Sequence, residues 1–588
     1  MINQEIAKLF SRLAFYLEMD DVKFKPQAYE KAALVIEALD EDLKDIYEKE
    51  KIKGLMKISG IGKSIAQKIE EYIKTGKIKE IEQYQRKYPV NLDELMGIEN
   101  IGPKTIKTLY EKLKITNLKE LEEAAKNGKI KNLKGFGEKS EKNILEAIEF
   151  IKRSTGRFRL DEAYYLAEDI IAQLKRIKEI DKIVVAGSLR RMKETIGDID
   201  LLVTLKESTE KAKEKVMNAF INLNGVIKIW DYGKTKSSVK FKNGIDVDLR
   251  VVKDDEFGSA LQYFTGSKEH NIEIRKIAIE KGLKLNEYGV FKGKERIAGR
   301  TEEEIYQALG LPYIEPELRE NTGEIEAAFN QVQGKPDQLP KIINYHDIKG
   351  DLHCHSDWNG GANSLEEIAK AARLMGYEYM GISDHTKFLR IEHGLDEKQL
   401  LAQHKAIEKL NSKFQILNSK FRILHGCEAN ILNDGSLDID DKILAQLDYV
   451  IAGIHSNMKM KKEKMTERII KAIKNPYVRI IAHPTGRLIN ERNEYEIDLD
   501  KIFRAAKEYN VALEINSSPI RLDLNDKNIR KAVNYGVKLI INTDAHEISQ
   551  MELMKFGISQ AKRGWATKND IINTWPLEKL LQFFKKSN

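Results

Sequence analysis

Gly187-Ser188-Leu189-Arg190-Arg191, followed by Gly197-Asp198-Ile199-Asp200-Leu201-Leu202-Val203, is the stretch on which the reading of this chain turns. The alternation of a strand puts Asp198 and Asp200 on one face and aliphatic residues on the other. A later run, Ile245-Asp246-Val247-Asp248-Leu249-Arg250-Val251, alternates the same way, so Asp246, Asp248 and Arg250 share a face. Carboxylates converging across neighbouring strands make a hard-oxygen site suited to Mg²⁺ or Mn²⁺. Two such ions can clamp the attacking and leaving oxygens of an in-line phosphoryl transfer. Gly187 and Ser188, at the end of a strand-like run, offer backbone amides and a hydroxyl to a triphosphate. A lone Gly-Asp-x-Asp is commonly a surface turn. The Gly-Ser and the later strand carboxylate make the set specific, with Asp246 and Asp248 competing for the third position.

Upstream, residues 1–155 carry helical periodicity broken by three similar turns. These are Ile58-Ser-Gly60-Ile-Gly62-Lys63, Ile98-Glu-Asn100-Ile-Gly102-Pro-Lys104 and Leu133-Lys-Gly135-Phe-Gly137-Glu-Lys139. They form an internal repeat. Glycine permits a tight turn that leaves amides facing outward at a helix start, where a phosphate can bind. One such turn would also serve to join two packed helices; three with basic flanks point to a polyanion. Overall charge adds little, since 99 basic residues face 92 acidic ones.

The second half has a different chemistry. Of eleven histidines only His270 precedes residue 346. Short apolar runs end in Asp351-Leu-His353-Cys-His355, Ser-Asp-His385, Gly-Cys-Glu428, Gly-Ile-His455, Ile-Ala-His483 and Thr-Asp544-Ala-His546. Ligands at the ends of successive parallel strands are how a β/α barrel builds a site. Imidazoles with carboxylates suit a cluster of Zn²⁺, Mn²⁺ or Fe²⁺ that activates water against phosphorus. Two cysteines, Cys354 and Cys427, cannot make a disulfide framework. Apolar residues amount to 41%, enough for real cores, and no apolar run approaches the ~20 residues of a membrane span.

The first 315 residues resemble the family X DNA polymerases, the group containing DNA polymerase beta. Tyr263-Phe264-Thr265-Gly266-Ser267, Asn271 and Arg275 extend the match beyond the carboxylates. The resemblance implies that Asp198, Asp200 and Asp248 hold the catalytic metals, with Asp248 activating the primer 3′-hydroxyl; the family pattern disfavours Asp246. It implies that Gly187, Ser188 and Arg191 bind the triphosphate, with Arg190 less firmly assigned. Tyr263, Phe264 and Gly266 would line the nucleotide sugar, and Asn271 and Arg275 would contact base or template. The repeats resemble helix-hairpin-helix motifs, which implies backbone contacts to DNA from Gly60, Gly62, Lys63, Asn100, Gly102, Lys104, Gly135, Gly137 and Lys139. Lys68 aligns with the Schiff-base lysine of a 5′-deoxyribose-phosphate lyase in relatives, with Lys25 and Lys31 placed for a 5′-phosphate. On an amphipathic helix, Lys68 also reads as a solvated charge.

Residues 346–575 resemble the polymerase and histidinol phosphatase (PHP) domain. That implies metal ligation by His353, His355, His385, Glu428, His455, His483, Asp544 and His546. A ninth ligand is missing: where the family carries Ser-Asp-Gly, this chain has Asn359-Gly360-Gly361, and Asp357 falls three positions early.

The expected fold is therefore multi-domain. An all-α helix-hairpin-helix region is followed by an α+β nucleotidyltransferase palm with a small thumb-like domain, and then by an α/β distorted (β/α)7 PHP barrel. Expected boundaries are 1–85 (lyase-like helical), 86–155 (two further hairpins), 156–257 (palm), 258–315 (nucleotide- and template-contacting), 316–345 (linker) and 346–588 (PHP). The expected protein is a cytoplasmic monomer that fills short gaps in duplex DNA from dNTPs during base excision repair. Its palm would use Mg²⁺ or Mn²⁺, and its barrel would be a 3′-5′ exonuclease or end-processing phosphoesterase. Two alternatives stay open: a barrel weakened by Gly360 into a structural role, and a phosphoesterase fused to a nucleotidyltransferase that uses no DNA template.

Overall fold

The computed structural model describes residues 2–37, 39, 42–58, 60–96, 98, 101–133, 135–154, 156–416 and 420–585. The chain divides into two compact units, Met1–Thr155 and Gly156–Asn588. No helix among the described residues is long and apolar enough to cross a membrane.

The first unit is helical, because its apolar residues recur at helical spacing and bury one stripe of each helix. Ile65, Ala66 and Ile69 do so in Lys63–Thr75, and Ile106 and Leu109 in Pro103–Leu113. The three glycine turns have one geometry. In each, the residue before the second glycine donates its amide to the residue three back: Ile61 to Ile58 at 3.0 Å, Ile101 to Ile98 at 3.1 Å, Phe136 to Leu133 at 3.0 Å. The second glycine then accepts the first bond of the following helix, from Ala66, Ile106 and Glu141. Gly60 and Gly135 take φ of +86° and +92°, which an L side chain resists. Asn100 lies outside the described residues, and so does the side chain of Lys139.

The second unit opens with a five-stranded sheet. Its order is Ile180–Val185, Asp198–Leu205, Asp246–Val251, Lys236–Phe241, Val226–Tyr232, and its two central neighbours run parallel. The helices Leu160–Leu174 and Glu210–Ile221 cover the aliphatic face, which leaves the carboxylate face open. Helices Phe257–Thr265 and Lys268–Glu280 and a three-stranded sheet follow.

Residues 316–345, expected as a linker, are largely folded. Arg319 is fully buried and donates to Glu302 at 2.6 Å and to the Ile314 carbonyl at 2.8 Å. The helix Glu324–Val332 begins with a buried Glu324 that meets His270 Nδ1 at 2.8 Å. Buried charges of this kind need partners, and the fold supplies them. Residues 331–338 form the segment's longest continuous exposed stretch.

The C-terminal part is a closed barrel of parallel staves. One sheet holds Gly350–Asp351, Tyr379–Ile382 and Arg422–His425; the other runs Glu428–Asn430, Val450–Gly453, Val478–Ile481, Ala512–Asn516, Leu539–Asn542. Bridges between Cys354 and Ala545, and between His385 and Glu428, close the two sheets on each other. Arg422–His425 and Glu428–Asn430 are one stave interrupted at Gly426-Cys427, so the barrel has seven. Every strand is buried on both faces, as parallel sheets under helices are. The barrel also enters the palm core through Ile489, Leu522 and Phe556, the last packed edge-on against Tyr164 at 5.5 Å.

Candidate active sites

The parallel pairing sets Asp198 opposite Asp246 and Asp200 opposite Asp248. The two rivals then differ in their company. Asp246 accepts from Trp230 Nε1 at 2.8 Å and lies 3.0 Å from Lys240 Nζ. Asp248 accepts from Ser238 Oγ at 2.5 Å, with Lys236 Nζ at 3.3 Å, and stands level with Asp200. Burial, reinforced by Asp198 and Asp248, pushes the Asp200 carboxyl up to about 7. Asp198 is raised as well, by burial first and Asp248 second. Carboxylates that raise one another's pKa in a half-buried cleft are stabilised by a nearby cation.

Gly187 is held by Asp200. A Cβ there would collide with Asp200 Oδ2, and its φ is +63°. Only glycine lets the loop pass this close. A cleft of about 800 Å³ opens above, bordered by Gly187, Ser188, Arg191, Asp198 and Asp200 on the palm side. Tyr263, Phe264, Gly266, Asn271 and Arg275 border it from the two following helices. The Tyr263 and Phe264 rings meet edge-on at 5.1 Å, and Arg250 lies 4.4 Å from the Phe264 ring centre. Asn271 is tied down, donating to the Tyr263 carbonyl at 2.7 Å and accepting from Gln262 at 2.7 Å. Arg190 pairs with Glu302 through two nitrogens, at 2.9 and 2.6 Å, which spends it on holding the helices together. Arg191 reaches Glu320 at 3.0 Å.

The barrel brings all eight expected residues to one end. Glu428 is the hub: its Oε1 lies 3.1 Å from His455 Nε2 and 3.0 Å from His483 Nε2. Its Oε2 lies 2.7 Å from His385 Nδ1 and 3.3 Å from His353 Nε2. Asp544 Oδ1 sits 3.2 Å from His355 Nε2, and the His355 ring stacks between His385 and His546 at 4.4 and 4.1 Å. Burial alone would push Glu428 up, but His385, His455 and His353 outweigh it and hold it well below the carboxylate range. Buried polar atoms here face one another without hydrogen-bond geometry: His353 Nε2, His355 Nδ1, His385 Nδ1, Glu428 Oε2 and His483 Nδ1. Buried polar atoms are rarely left so. Overlapping sets, His355/His385/His546, His353/His355/Glu428/Asp544 and His385/Glu428/His455, each place their ligand atoms within 4.8 Å, so the donors fit a cluster of metal ions.

The outer partners escaped sequence reading. Glu514 Oε1 takes the far nitrogen of His353 at 2.7 Å, and Asn430 Oδ1 meets His455 Nδ1 at 2.6 Å. Such groups fix the tautomer and ring orientation of a metal-bound imidazole. Asn430 ends its barrel strand, a signal that was available; Glu514 sits mid-strand in Ala512–Asn516. At the departure from the family pattern, Asp357 is exposed and belongs to no ligand set among the described residues. A Cβ at Gly360 would stand 2.5 Å from Glu392 Oε2, so another carboxylate fills that space. His404 and His425 form a separate pair with Nδ1 atoms 3.1 Å apart.

In the first unit, a Cβ on Gly62, Gly102 or Gly137 would meet nothing within 4 Å, so those turns are open. Lys63 is exposed, and Lys104 pairs with Asp21 at 2.6 Å. The side chain of Lys31 runs past Gly60, its Cε 3.8 Å from a Cβ placed there. Lys68 is ion-paired with Glu80 at 2.7 Å; burial would lower its pKa, but Glu80 and Tyr29 raise it.

Comparison with known proteins assigns the segments of the chain to known families. Family models match as Helix-hairpin-helix domain (1–78), SAM-like Helix-hairpin-helix tandem (92–149), DNA polymerase beta palm (157–228), DNA polymerase beta thumb (260–320) and PHP domain (351–518). The chain is 38% identical to the DNA polymerase/3'-5' exonuclease PolX of Bacillus subtilis (strain 168), with all of both chains covered. A probable phosphatase of Thermoanaerobacter sp. (strain X514) is 31% identical over 40% of this chain and 94% of its own. Another, from Caldicellulosiruptor bescii, is 32% identical over 34% and 80%.

Proposed function

Because this chain belongs to the family X DNA polymerases that carry a C-terminal PHP domain, we propose that it fills short gaps in duplex DNA and trims 3′ ends at a second site in the barrel. The observation that carries the reading is the separation of two clusters: Asp198 and Asp200 border one cleft with Asp248 paired beside Asp200, and seven barrel residues gather around Glu428.

Asp198, Asp200 and Asp248 would hold two Mg²⁺ or Mn²⁺ ions, which when bound polarise the α-phosphate and lower the pKa of the primer 3′-hydroxyl. Asp248, aligned with Asp200 and fixed by Ser238, accepts the hydroxyl proton. Ser188 and the Gly187 amide hold the triphosphate, and Arg191 takes its charge. The Tyr263-Phe264 end of the helix Phe257–Thr265, pinned by Asn271 to the Tyr263 carbonyl, presents backbone to the sugar and excludes a 2′-hydroxyl. In the barrel, the eight ligands would hold Zn²⁺, Mn²⁺ or Fe²⁺, which supply a hydroxide at neutral pH. Glu514 and Asn430 orient the His353 and His455 imidazoles. The hairpin turns with Gly60, Gly62, Lys63, Gly102, Lys104, Gly135 and Gly137 grip DNA phosphates without reading sequence. Lys68 stays a paired, structural cation. A cytoplasmic monomer is the working form.

A second reading rests on Gly360: with one family ligand absent, the barrel trims slowly and serves mainly as structure. One experiment separates the two. A labelled primer on one-nucleotide-gapped DNA is followed in Mn²⁺ with and without dNTPs, in the parent, Asp200→Ala and His355→Ala. Extension lost only in Asp200→Ala, with shortening lost only in His355→Ala, supports two working sites. Extension without shortening in the parent favours the second reading, and no extension at all sinks the polymerase assignment.

A further inference from the structure

The nucleotide cleft of the palm is completed by the barrel. Lys527 and Arg563 border it, more than 270 residues along the chain from the carboxylates and outside the barrel's ligand cluster. Arg563 is almost fully buried at the end of the helix Met554–Arg563, where it makes three kinds of contact. It donates to the Arg191 carbonyl at 2.9 Å, to Glu320 Oε1 at 3.0 Å and to Asp526 at 3.0 Å. Three residues earlier on that helix, Gln560 donates to the Met192 carbonyl at 3.3 Å. Two successive carbonyls of the phosphate-binding loop therefore rest on one barrel helix.

Glu320 is the shared carboxylate. The same Oε1 that takes Arg563 takes Arg191 Nε at 3.0 Å, and Oε2 lies 3.5 Å from Lys193. Burial would raise this carboxyl, but the cations, Arg563 first, hold it down at about 2, so it stays charged. A fixed negative charge beside a triphosphate site repels substrate unless neutralised. Three cations surround one carboxylate. A triphosphate that drew Arg191 away would leave Arg563 to keep Glu320 compensated. Lys527, exposed in the first turn of the helix Asp526–Tyr535, adds a cation at the rim of the same cleft.

We propose that the barrel tunes nucleotide binding at the polymerase site. Arg563 acts as a positioning residue that shields Glu320 and frees Arg191 for the triphosphate, and Lys527 acts as a direct contact to the nucleotide phosphates. This rests on the polymerase reading, so the parent must extend a primer first.

The test uses the full chain on one-nucleotide-gapped DNA, measuring kcat and KM for the complementary dNTP, with primer shortening in the absence of dNTPs as a check on the barrel. Lys527→Ala, at an exposed position, should raise KM about fivefold with kcat and shortening within twofold of the parent, and Lys527→Arg should restore it. Arg563→Gln should raise KM about tenfold, because an uncompensated Glu320 then holds Arg191 and repels the phosphates. Adding Glu320→Gln to Arg563→Gln should recover most of that loss, which a purely structural arginine would not allow. Unchanged KM in Lys527→Ala overturns the direct contact. A loss in Arg563→Gln that Glu320→Gln leaves untouched overturns the shielding. If Arg563→Gln also loses shortening, the barrel is disturbed, and Lys527→Ala alone then decides whether the barrel reaches the nucleotide.

Discussion

At the scale of single residues, Asp200 shows how a catalytic cleft stores unfavourable charge. Its carboxyl rises from 3.8 to about 7 through burial and its two neighbours. The folded chain therefore binds a proton that the unfolded chain has already lost between those values, so stability falls as pH rises through that window. Above about pH 7 the loss is complete, and at about 1.4 kcal/mol per pKa unit it amounts to at most about 4 kcal/mol. Asp200→Asn removes the charge without changing the shape. In EDTA at pH 8 the variant should melt above the parent, the two converging near pH 4, while primer extension disappears. Mn²⁺ should raise the melting temperature of the parent's polymerase part more than that of the variant, because a ligand stabilises only the state that binds it. A parent that melts no lower than Asp200→Asn in EDTA at pH 8 would mean that the carboxylates are not strained against one another.

At the scale of elements, the three glycine turns make one device repeated. Each closes with the same backbone bond and delivers a helix whose leading glycine faces open space. Gly137→Val keeps that turn, since φ there is not left-handed and nothing lies within 4 Å of the new Cβ. It also places a branched side chain where a phosphate would approach. Affinity for gapped duplex should fall about five- to tenfold and the slope of log K against log salt should shrink by about 1, with melting unchanged. Equal salt slopes for parent and variant would remove this turn from the DNA interface. This level was the most legible from sequence, because a glycine turn, a strand alternation and a strand-ending histidine are local signals. Asp198, Asp200, Gly187 and the eight barrel ligands could be read that way. Asp248 against Asp246 could not be settled by alternation, since both lie on one face; their different partners, Ser238 and Trp230, come from other strands. Glu514, Arg563 and the folding of 316–345 were hidden for the same reason: each depends on a contact across a long sequence separation.

At the scale of the whole chain, the second unit joins two chemistries through a shared core. Phe556 belongs to a barrel helix, yet it packs against Tyr164 and Tyr165 of the palm, and Ile489 and Leu522 enter the same core. Arg487 adds a contact to Glu194 at 2.7 Å. Domains joined by a flexible tether melt independently, whereas a common apolar core couples them. The barrel should therefore stabilise the palm, and the reverse. Phe556→Ala removes a fully buried ring and should cost about 3–5 kcal/mol. Because Phe556 lies far in sequence from every palm carboxylate, a local effect would spare polymerisation. Coupling instead predicts that thermal inactivation of extension and of shortening shift downward together in Phe556→Ala, by several degrees each. A second comparison fixes the cause. His355→Ala, within the ligand cluster, should abolish shortening yet leave the inactivation temperature of extension near that of the parent at fixed metal concentration. If Phe556→Ala lowers only the barrel's inactivation temperature, the palm stands without the barrel, and the contacts at Ile489, Leu522 and Phe556 merely cover its surface.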